Sequence, residues 1–208
     1  MAVITISRQS GSEGNTIAQI ICQRLGYGYF DKNMMLALAT ELGWDPEQVA
    51  DISADVHSVK SKMEKILRNF DLPYGVASSG PLRTYLTYDE ALSAAMVQFL
   101  VLSAYDQGNV VIIGRGSQII LGNKPDVLHV RVVAPLEKRI ANWQAREKLT
   151  YEEAQQKIAE RDAAHIDFVE TYFDMDLNEP LLYDLVINTG KFSPEEAADV
   201  ILEALKKL

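Results

Sequence analysis

A chain of 208 residues fits one domain and can bury a proper core. Hydrophobic residues at 48% and charged residues at 24% are ordinary for a soluble globular protein and leave little room for disorder. With 29 acids against 20 bases the net charge is −9, which disfavours nucleic acid or an anionic membrane as partner, since either needs a concentration of Lys and Arg. The opening "MAVITIS" lacks the basic start of a signal peptide, and no apolar run reaches the about 18 residues of a membrane span. The sole cysteine, Cys22, cannot form an internal disulfide and is expected as a buried small residue, so the setting reads as cytoplasmic and reducing.

In chain order, Val3-Ile4-Thr5-Ile6 is a β-branched run that predicts a buried strand. "SRQSGSEGNT" (Ser7 to Thr16) follows as a glycine loop, and Ile17, Ala18, Ile20, Ile21 and Leu25 then recur at helical spacing up to Gly26. "YGYF" predicts a short second strand, and Asp31 caps a helix to Leu42 with Gly43 as its stop. Asp45-Pro46 starts another short helix, and residues 54–70 form an amphipathic one. "DLPYGVASSGPL" (Asp71 to Leu82) is the one long loop signal. Thr87 with Glu90 makes a capping box for an almost wholly apolar, and therefore buried, helix to about Tyr105.

"NVVIIG" and "VLHVRVV" are two further buried strands, and Pro135 opens the helix after the second. Thr150 and Glu153 form a second capping box, for a long charged helix reaching the low 170s. "DLVIN" is a last strand, and Ser193-Pro194-Glu195-Glu196 caps a C-terminal helix. Short apolar strands alternating with helices define a single three-layer α/β domain built on a parallel sheet. In such sheets ligands bind beyond the carboxyl ends of the strands, which picks out the segments after Ile6, Phe30, Ile113, Val133 and Asn188.

Strand, glycine loop, helix is the context a phosphate site demands, because loop and helix N–H groups point at an anion and glycine lets the backbone approach it. The nucleotide-binding pattern G-x-x-x-x-G-K-[ST] adds a lysine on the outer phosphates and a hydroxyl on magnesium. With Thr16 set on that hydroxyl, Ser10, Gly11 and Ser12 fall on the loop's small residues, Gly14 on the lysine and Arg8 on the first glycine.

"ITISRQSGSEGNTIAQIICQRLGYGYFDKNMM" resembles the opening of the cytidylate kinase-like family, relatives of bacterial cytidylate kinase within the P-loop nucleoside monophosphate kinases. The resemblance continues through "VVIIGRGSQIIL", "HVRVVAPLEKRIANWQAREKLTYEEAQQKIAERDAAH" and "YDLVINTGKFSPEEAADVI". It covers most of the chain in order and is vaguest over residues 44–106. It implies five parallel strands, an acceptor-closing region over about 32–106, and a helical lid over about 139–175. It also implies ATP as phosphoryl donor with Mg2+, and nucleotides as small-molecule partners.

Carried over by position, Ser10, Gly11, Ser12, Gly14, Asn15 and Thr16 form the nucleotide-binding loop, with Thr16 on the metal. Asp31, Arg115 and Asp162 fall on acceptor-side positions, and Arg139, Arg146 and Arg161 where the lid supplies arginines to transferring phosphates. The departures are equally specific. The family's "DGRD" is "IGRG" here, which leaves Arg115 but puts Ile113 and Gly116 where acids stand. Lys32 replaces a serine, Ala37 an arginine, and Ala164, His165 and Phe168 replace charged positions. The lost lysine is serious because phosphoryl transfer asks mainly for positioning and positive charge. Arg8, on the same loop, is the cation placed to substitute, in forked rather than point-charge geometry.

Simpler readings stand beside these. Asp31 also reads as a plain helix N-cap, and Arg139, Arg146 and Arg161 as solvated helix arginines. His129 alternates within a strand as a hydrogen-bonded core histidine, His57 reads as helix surface, and His165 falls in the lid segment. Three histidines and one cysteine without metal-ligand spacing argue against structural zinc. Ser78, Ser79, Arg83 and Tyr85 lie in or beside the long loop, as acceptor contacts or as plain loop residues. The leading expectation is a phosphotransferase moving the γ-phosphoryl of ATP to a nucleoside monophosphate or similar acceptor. The alternatives are a nucleotide sensor without turnover and a ligand-free scaffold. Oligomeric state stays open, with Trp44 and the 54–70 helix as the contact surface of a homodimer.

Overall fold

The computed structural model describes residues 2–43, 88–122 and 124–208, with side chains of the helix beginning at Tyr88 described from Ala94 onward. The strands are β1 (Val3–Arg8), β2 (Gly28–Phe30), β3 (Val110–Ile113), β4 (Val127–Val133) and β5 (Leu185–Asn188). The helices are α1 (Gly14–Leu25), α2 (Lys32–Glu41), α3 (Tyr88–Gln107), α4 (Ser117–Ile120), α5 (Leu136–Glu147), α6 (Tyr151–Phe173) and α7 (Pro194–Leu205). The expected helices at 45–46 and 54–70, the loop at 71–82 and the box at Thr87–Glu90 lie outside the described residues. So do Trp44, His57, Ser78, Ser79, Arg83 and Tyr85. The short helix α4 and a 3-10 turn at Pro180–Leu182 have no counterpart in the sequence reading, being too short to show periodicity.

All pairings are parallel, in the order β2-β3-β1-β4-β5. Period-2 alternation sends Ile4, Ile6, Val111, Ile113, Val130 and Val132 to one face, where Ile17 and Ile21 of α1 and Ala197 and Ile201 of α7 meet them. Val3, Val110, Ile112 and Val127 face the other way, onto Met35 of α2 and Met96, Leu100 and Val101 of α3. Fully burying one such side chain contributes roughly 2 kcal/mol, so both faces are covered for the same physical reason. The five-stranded parallel sheet between helical layers is the expected three-layer α/β/α fold.

The second face also carries a polar stripe, Thr5 and Ser7 beside His129 and Arg131, all buried. His129 is a hydrogen-bonded core histidine, as expected. Its Nε2–H donates to the Gly122 carbonyl at 2.6 Å, which can only accept, so Nδ1 takes the Thr5 hydroxyl proton at 2.7 Å. Cys22, expected to be buried, is half-buried at the fringe of the α1 packing, where its thiol donates to the Gly28 carbonyl at 3.3 Å. The reason is that α1 turns Cys22 toward the strand edge rather than into the sheet's centre.

Helix ends follow their capping chemistry. Asp31 accepts from the Asn33 and Met34 amides, Thr150–Glu153 and Ser193–Glu196 form reciprocal boxes, and Gly26 closes α1 at φ 67°. Helices α5 and α6 share a small core of their own, Ile140, Trp143, Ala154 and Ile158. Adjacent strands β1 and β3 lead into α1 and α4 on opposite faces of the sheet. A crevice therefore opens beyond their carboxyl ends.

Candidate functional site

The turn from Gln9 to Glu13 links β1 to α1 and is tied down from several sides. The Gln9 amide donates to the Val132 carbonyl at 3.0 Å, and the Gln9 side chain accepts from the Ala134 amide at 3.0 Å. The Ser12 hydroxyl donates to the Gln9 carbonyl at 2.8 Å, while Thr189 donates to the Ser12 carbonyl at 3.0 Å. Helix α5 sits directly on the turn: Asn142 donates to the Gly11 carbonyl at 2.9 Å and Trp143 Nε1 to the Ser10 hydroxyl at 3.1 Å. Gly11, at φ 84°, has no room for a side chain, since a Cβ would lie 2.8 Å from the Arg139 carbonyl and 2.9 Å from Trp143. Glu13 completes the turn at φ 65°, and the Gly14, Asn15 and Thr16 amides that follow are the unpaired first N–H groups of α1. Such a turn presents an anion-binding helix N-terminus.

Position 14 is glycine for a steric reason. A Cβ there would lie 2.7 Å from Arg8 Cβ and 3.0 Å from Cγ, because the stem of Arg8 crosses directly over it. Arg8 Nε then donates to Asn15 Oδ1 at 3.1 Å, and its Nη1 lies against Gly114, 2.6 Å from where a Cβ would stand. The missing lysine and the added arginine are thus one structural change, with a guanidinium projected from β1 across the head of α1.

Across the crevice, Gly114, Arg115 and Gly116 run at φ 68°, 61° and 64°, and the Phe173 ring, 2.5 Å from a built Cβ, forces glycine at 116. Arg115 holds a left-handed backbone at a cost of about 1 kcal/mol. Burial pushes both the Arg8 and Arg115 guanidiniums down in pKa, and Arg115 is lowered further by Arg8; Asp31 opposes the shift at both. Asp31 uses Oδ1 alone to cap α2, at 2.9 Å from the Asn33 amide and 3.1 Å from the Met34 amide.

The remaining charged residues divide into two groups. Arg139 is buried, 8% exposed, and commits Nη1 to Asp162 Oδ2 at 2.5 Å and to the Ser10 carbonyl at 3.3 Å. Asp162 Oδ1 accepts from the Ser10 amide at 2.8 Å, so in this structure the pair clamps the turn between β1 and α1. Arg146 and Arg161 instead flank the Trp143 ring, at 3.8 Å and 4.8 Å from its centroid. These residues, with Arg8, Arg115, Lys32 and Thr16, line a cleft of about 850 Å3. His165 lines it too; burial first, then Arg8 and Arg131, pushes its imidazole down to about 4, and its Nε2 is sealed without a partner.

The structure therefore gathers Arg8, Ser10, Gly11, Gly14, Asn15, Thr16, Arg115, Arg146, Arg161 and Asp162 around one cleft. Ser12 is spent inside the turn, and Arg139 is buried where α5 meets it, bonded to the Ser10 carbonyl and Asp162. Sequence reasoning missed Asn142 and Trp143, which hold the turn, and Arg131, which pairs in register with Ser7 near the end of β1. An arginine in the middle of "VLHVRVV" was the available signal for the last. Among the described residues no group of three or more His, Cys, Asp or Glu is placed to hold a metal. Thr16 is exposed on the cleft and offers one hydroxyl ligand, while the strand-end acid that would assist it is Ile113.

A five-stranded parallel sheet between helical layers, with a glycine turn between the first strand and first helix, is the P-loop kinase fold. The chain belongs to the cytidylate kinase-like family, whose model matches residues 3–191. It is 26% identical over 208 residues to the cytidylate kinase of Staphylothermus marinus, covering all of this chain and 98% of that one. It is 23% identical to the cytidylate kinase of Methanopyrus kandleri over 99% of this chain and 94% of that one. Among solved structures it is similar to an uncharacterized protein from Eubacterium ventriosum, with TM-score 0.70, 15% identity and full coverage of both chains. It is also similar to shikimate kinase from Acinetobacter baumannii, with TM-score 0.51, 14% identity, and 100% and 94% coverage. Among the described residues no helix is long and apolar enough to cross a membrane.

Proposed function

We propose that the protein is a cytidylate kinase-like phosphotransferase that moves the γ-phosphoryl of ATP to a nucleoside monophosphate or a similar small anionic acceptor. One observation carries the reading: Arg8, Arg115 and Arg161 line one cleft beside a helix N-terminus and none forms a close ion pair with a carboxylate among the described residues. Asp31 is a charged neighbour of Arg8 and Arg115 rather than an ion-pair partner. Unpaired guanidiniums held together in an acidic chain call for a polyanion.

The amides of Gly14, Asn15 and Thr16 hold the donor phosphates, with Ser10 and Gly11 fixing the turn and Ser12 bracing it. Arg8 takes the lost lysine's place. Arg115 and Asp31 position the acceptor, and Asp162 keeps the turn and Arg139 in register. An acceptor phosphate oxygen attacks the γ-phosphorus in line, the bond to the β–γ bridging oxygen breaks, and ADP leaves with that electron pair. Arg8, Arg146 and Arg161 stabilise the charge spread over the transferring oxygens, which is the main demand of this reaction. No general base is required for a phosphate acceptor. Mg2+, bound with ATP, would be held by the Thr16 hydroxyl and would neutralise phosphate charge. Residues of about 139–175 act as the lid and about 32–106 as the acceptor-closing region, in a cytoplasmic enzyme with small nucleotides as ligands.

The test is phosphoryl transfer from radiolabelled ATP to a panel of nucleoside monophosphates, with ATP titrations of wild type and Arg8→Ala. Product from one acceptor supports the kinase, and equal ATP affinities in the two proteins dispose of Arg8's role. A second reading, a nucleotide sensor without turnover, is favoured by Ile113 at the strand end and by the burial of Arg139 against Asp162. Thermal stabilisation by nucleotides with no product on any acceptor selects it.

A further inference from the structure

We propose that Arg131 is a positioning residue of the phosphate cleft: a buried guanidinium with no carboxylate partner among the described residues, whose counter-charge is the phosphate chain of the bound ligand. The inference rests on the cleft being a phosphate site.

Arg131 is 7% exposed and pairs in register with Ser7, the residue immediately before Arg8. Its Nη1 donates to Ser7 Oγ at 3.0 Å and to the Tyr183 hydroxyl at 3.2 Å, and Nη2 donates to Asn178 Oδ1 at 3.0 Å. Tyr183 spends its own proton on the Leu177 carbonyl at 2.8 Å, so toward Arg131 it can only accept. Every partner is therefore a neutral oxygen, and no described carboxylate forms an ion pair with Arg131. The contrast with the second buried arginine is direct, since Arg139 has Asp162 at 2.5 Å.

A guanidinium cannot shed its proton to escape burial. Neutral dipoles solvate its N–H groups without cancelling its charge, so the field persists into the surroundings. Those surroundings are the phosphate turn: Val132, next to Arg131, accepts from the Gln9 amide. The field also reaches His165 in the cleft wall, where Arg131 is one of the cations that hold the imidazole neutral. Three of its five N–H groups are spent on Ser7, Tyr183 and Asn178, and Arg131 is not among the residues lining the cleft, so it acts on a ligand through charge rather than contact. Its effect must then scale with the ligand's charge, most for a triphosphate and least for a monophosphate.

The test compares wild type, Arg131→Gln and Arg131→Lys by titration calorimetry with inorganic tripolyphosphate, ATP and AMP, and by melting without ligand. Gln keeps donors for the neutral oxygens but removes the charge, and Lys keeps the charge. We expect R131Q to bind tripolyphosphate and ATP roughly tenfold more weakly, AMP by a smaller factor, and R131K to recover most of the loss. Without ligand, R131Q is expected to melt no lower than R131K. Wild-type affinities in R131Q, or one common factor for all three ligands, overturn the role of Arg131 alone. Failure of wild type to bind any of the three overturns the phosphate-site reading and this inference with it.

Discussion

At position 14 the loss of the lysine and the gain of Arg8 make a steric exchange that can be tested by reversing it. Gly14→Lys alone should not repair the loop, because its Cβ must enter space held by the Arg8 stem at 2.7 Å. Overpacking of that kind costs about 1–3 kcal/mol, and Arg8 would be displaced from Asn15. The double variant Arg8→Gly with Gly14→Lys should regain both stability and ATP affinity, a coupling that a thermal-melt and calorimetry cycle reads directly. Wild-type stability in the single variant would refute the crossing of the two residues. His165 makes a second prediction at this scale. Its folded pKa of about 4 lies below the ordinary 6.5, so the unfolded chain binds more protons between those values. Its contribution is complete above about pH 6.5 and is lost as pH falls toward 4, at most roughly 3 kcal/mol. Denaturant melts across that window should show a shallower pH dependence for His165→Gln than for wild type, and parallel curves would exclude the depressed imidazole. The sequence could place Gly14 on the lysine position but read the change as a lost charge. Only the backbone path of the turn reveals that Arg8 fills the space.

Helix α5 and the first half of α6 act as one element clamped onto the turn, and the clamp runs through Asp162 at the middle of α6. Asp162→Asn should keep the bond from the Ser10 amide while stripping Arg139 of its counter-charge. A buried guanidinium left without its partner costs about 3–5 kcal/mol. We expect a lower melting temperature together with faster hydrogen exchange at residues 9–13, where the turn loses its anchor. Retained protection there would mean that Asn142 and Trp143 hold the turn unaided. How far these elements could be read in advance depended on whether their signals were local. The capping boxes of α6 and α7, the Gly26 stop and the β-branched strands all reside in contiguous residues, and each lies where the sequence puts it. The resemblance puts Asp162 on the acceptor side and Arg139 among the lid arginines, and neither expectation includes their bond to each other. Their bond to each other spans 23 residues, and the bond from the Ser10 amide to Asp162 spans 152. Trp143 carried no signal beyond an aromatic on a charged helix, because its role depends on how α5 lands on Gly11.

On the scale of the whole molecule, a chain of net charge −9 gathers several arginines at one end of its sheet, of which Arg146 is ion-paired with Glu147. Composition gives the net charge but not its distribution, since the cations come from β1, the end of β3 and the helices α5 and α6. The sheet order that brings β1 between β3 and β4 is what gathers them. If the cleft holds nucleotides as proposed, it attracts them while the acidic remainder repels them, so binding should respond to salt in a characteristic way. Raising the ionic strength from about 0.05 to 0.5 M shrinks the Debye length severalfold and screens exposed charges such as Arg146 and Arg161 far more than buried ones. ATP affinity should therefore fall steeply at first and then level off. The residual, salt-resistant part belongs to Arg8, Arg115 and the α1 amides. In Arg146→Ala the initial slope should flatten with the plateau kept, and in Arg8→Ala the plateau itself should drop. Calorimetric titrations at four or five salt concentrations resolve the two effects. An affinity that is flat in salt for wild type would mean the ligand is not held by charge, and the kinase and sensor readings would then both fail.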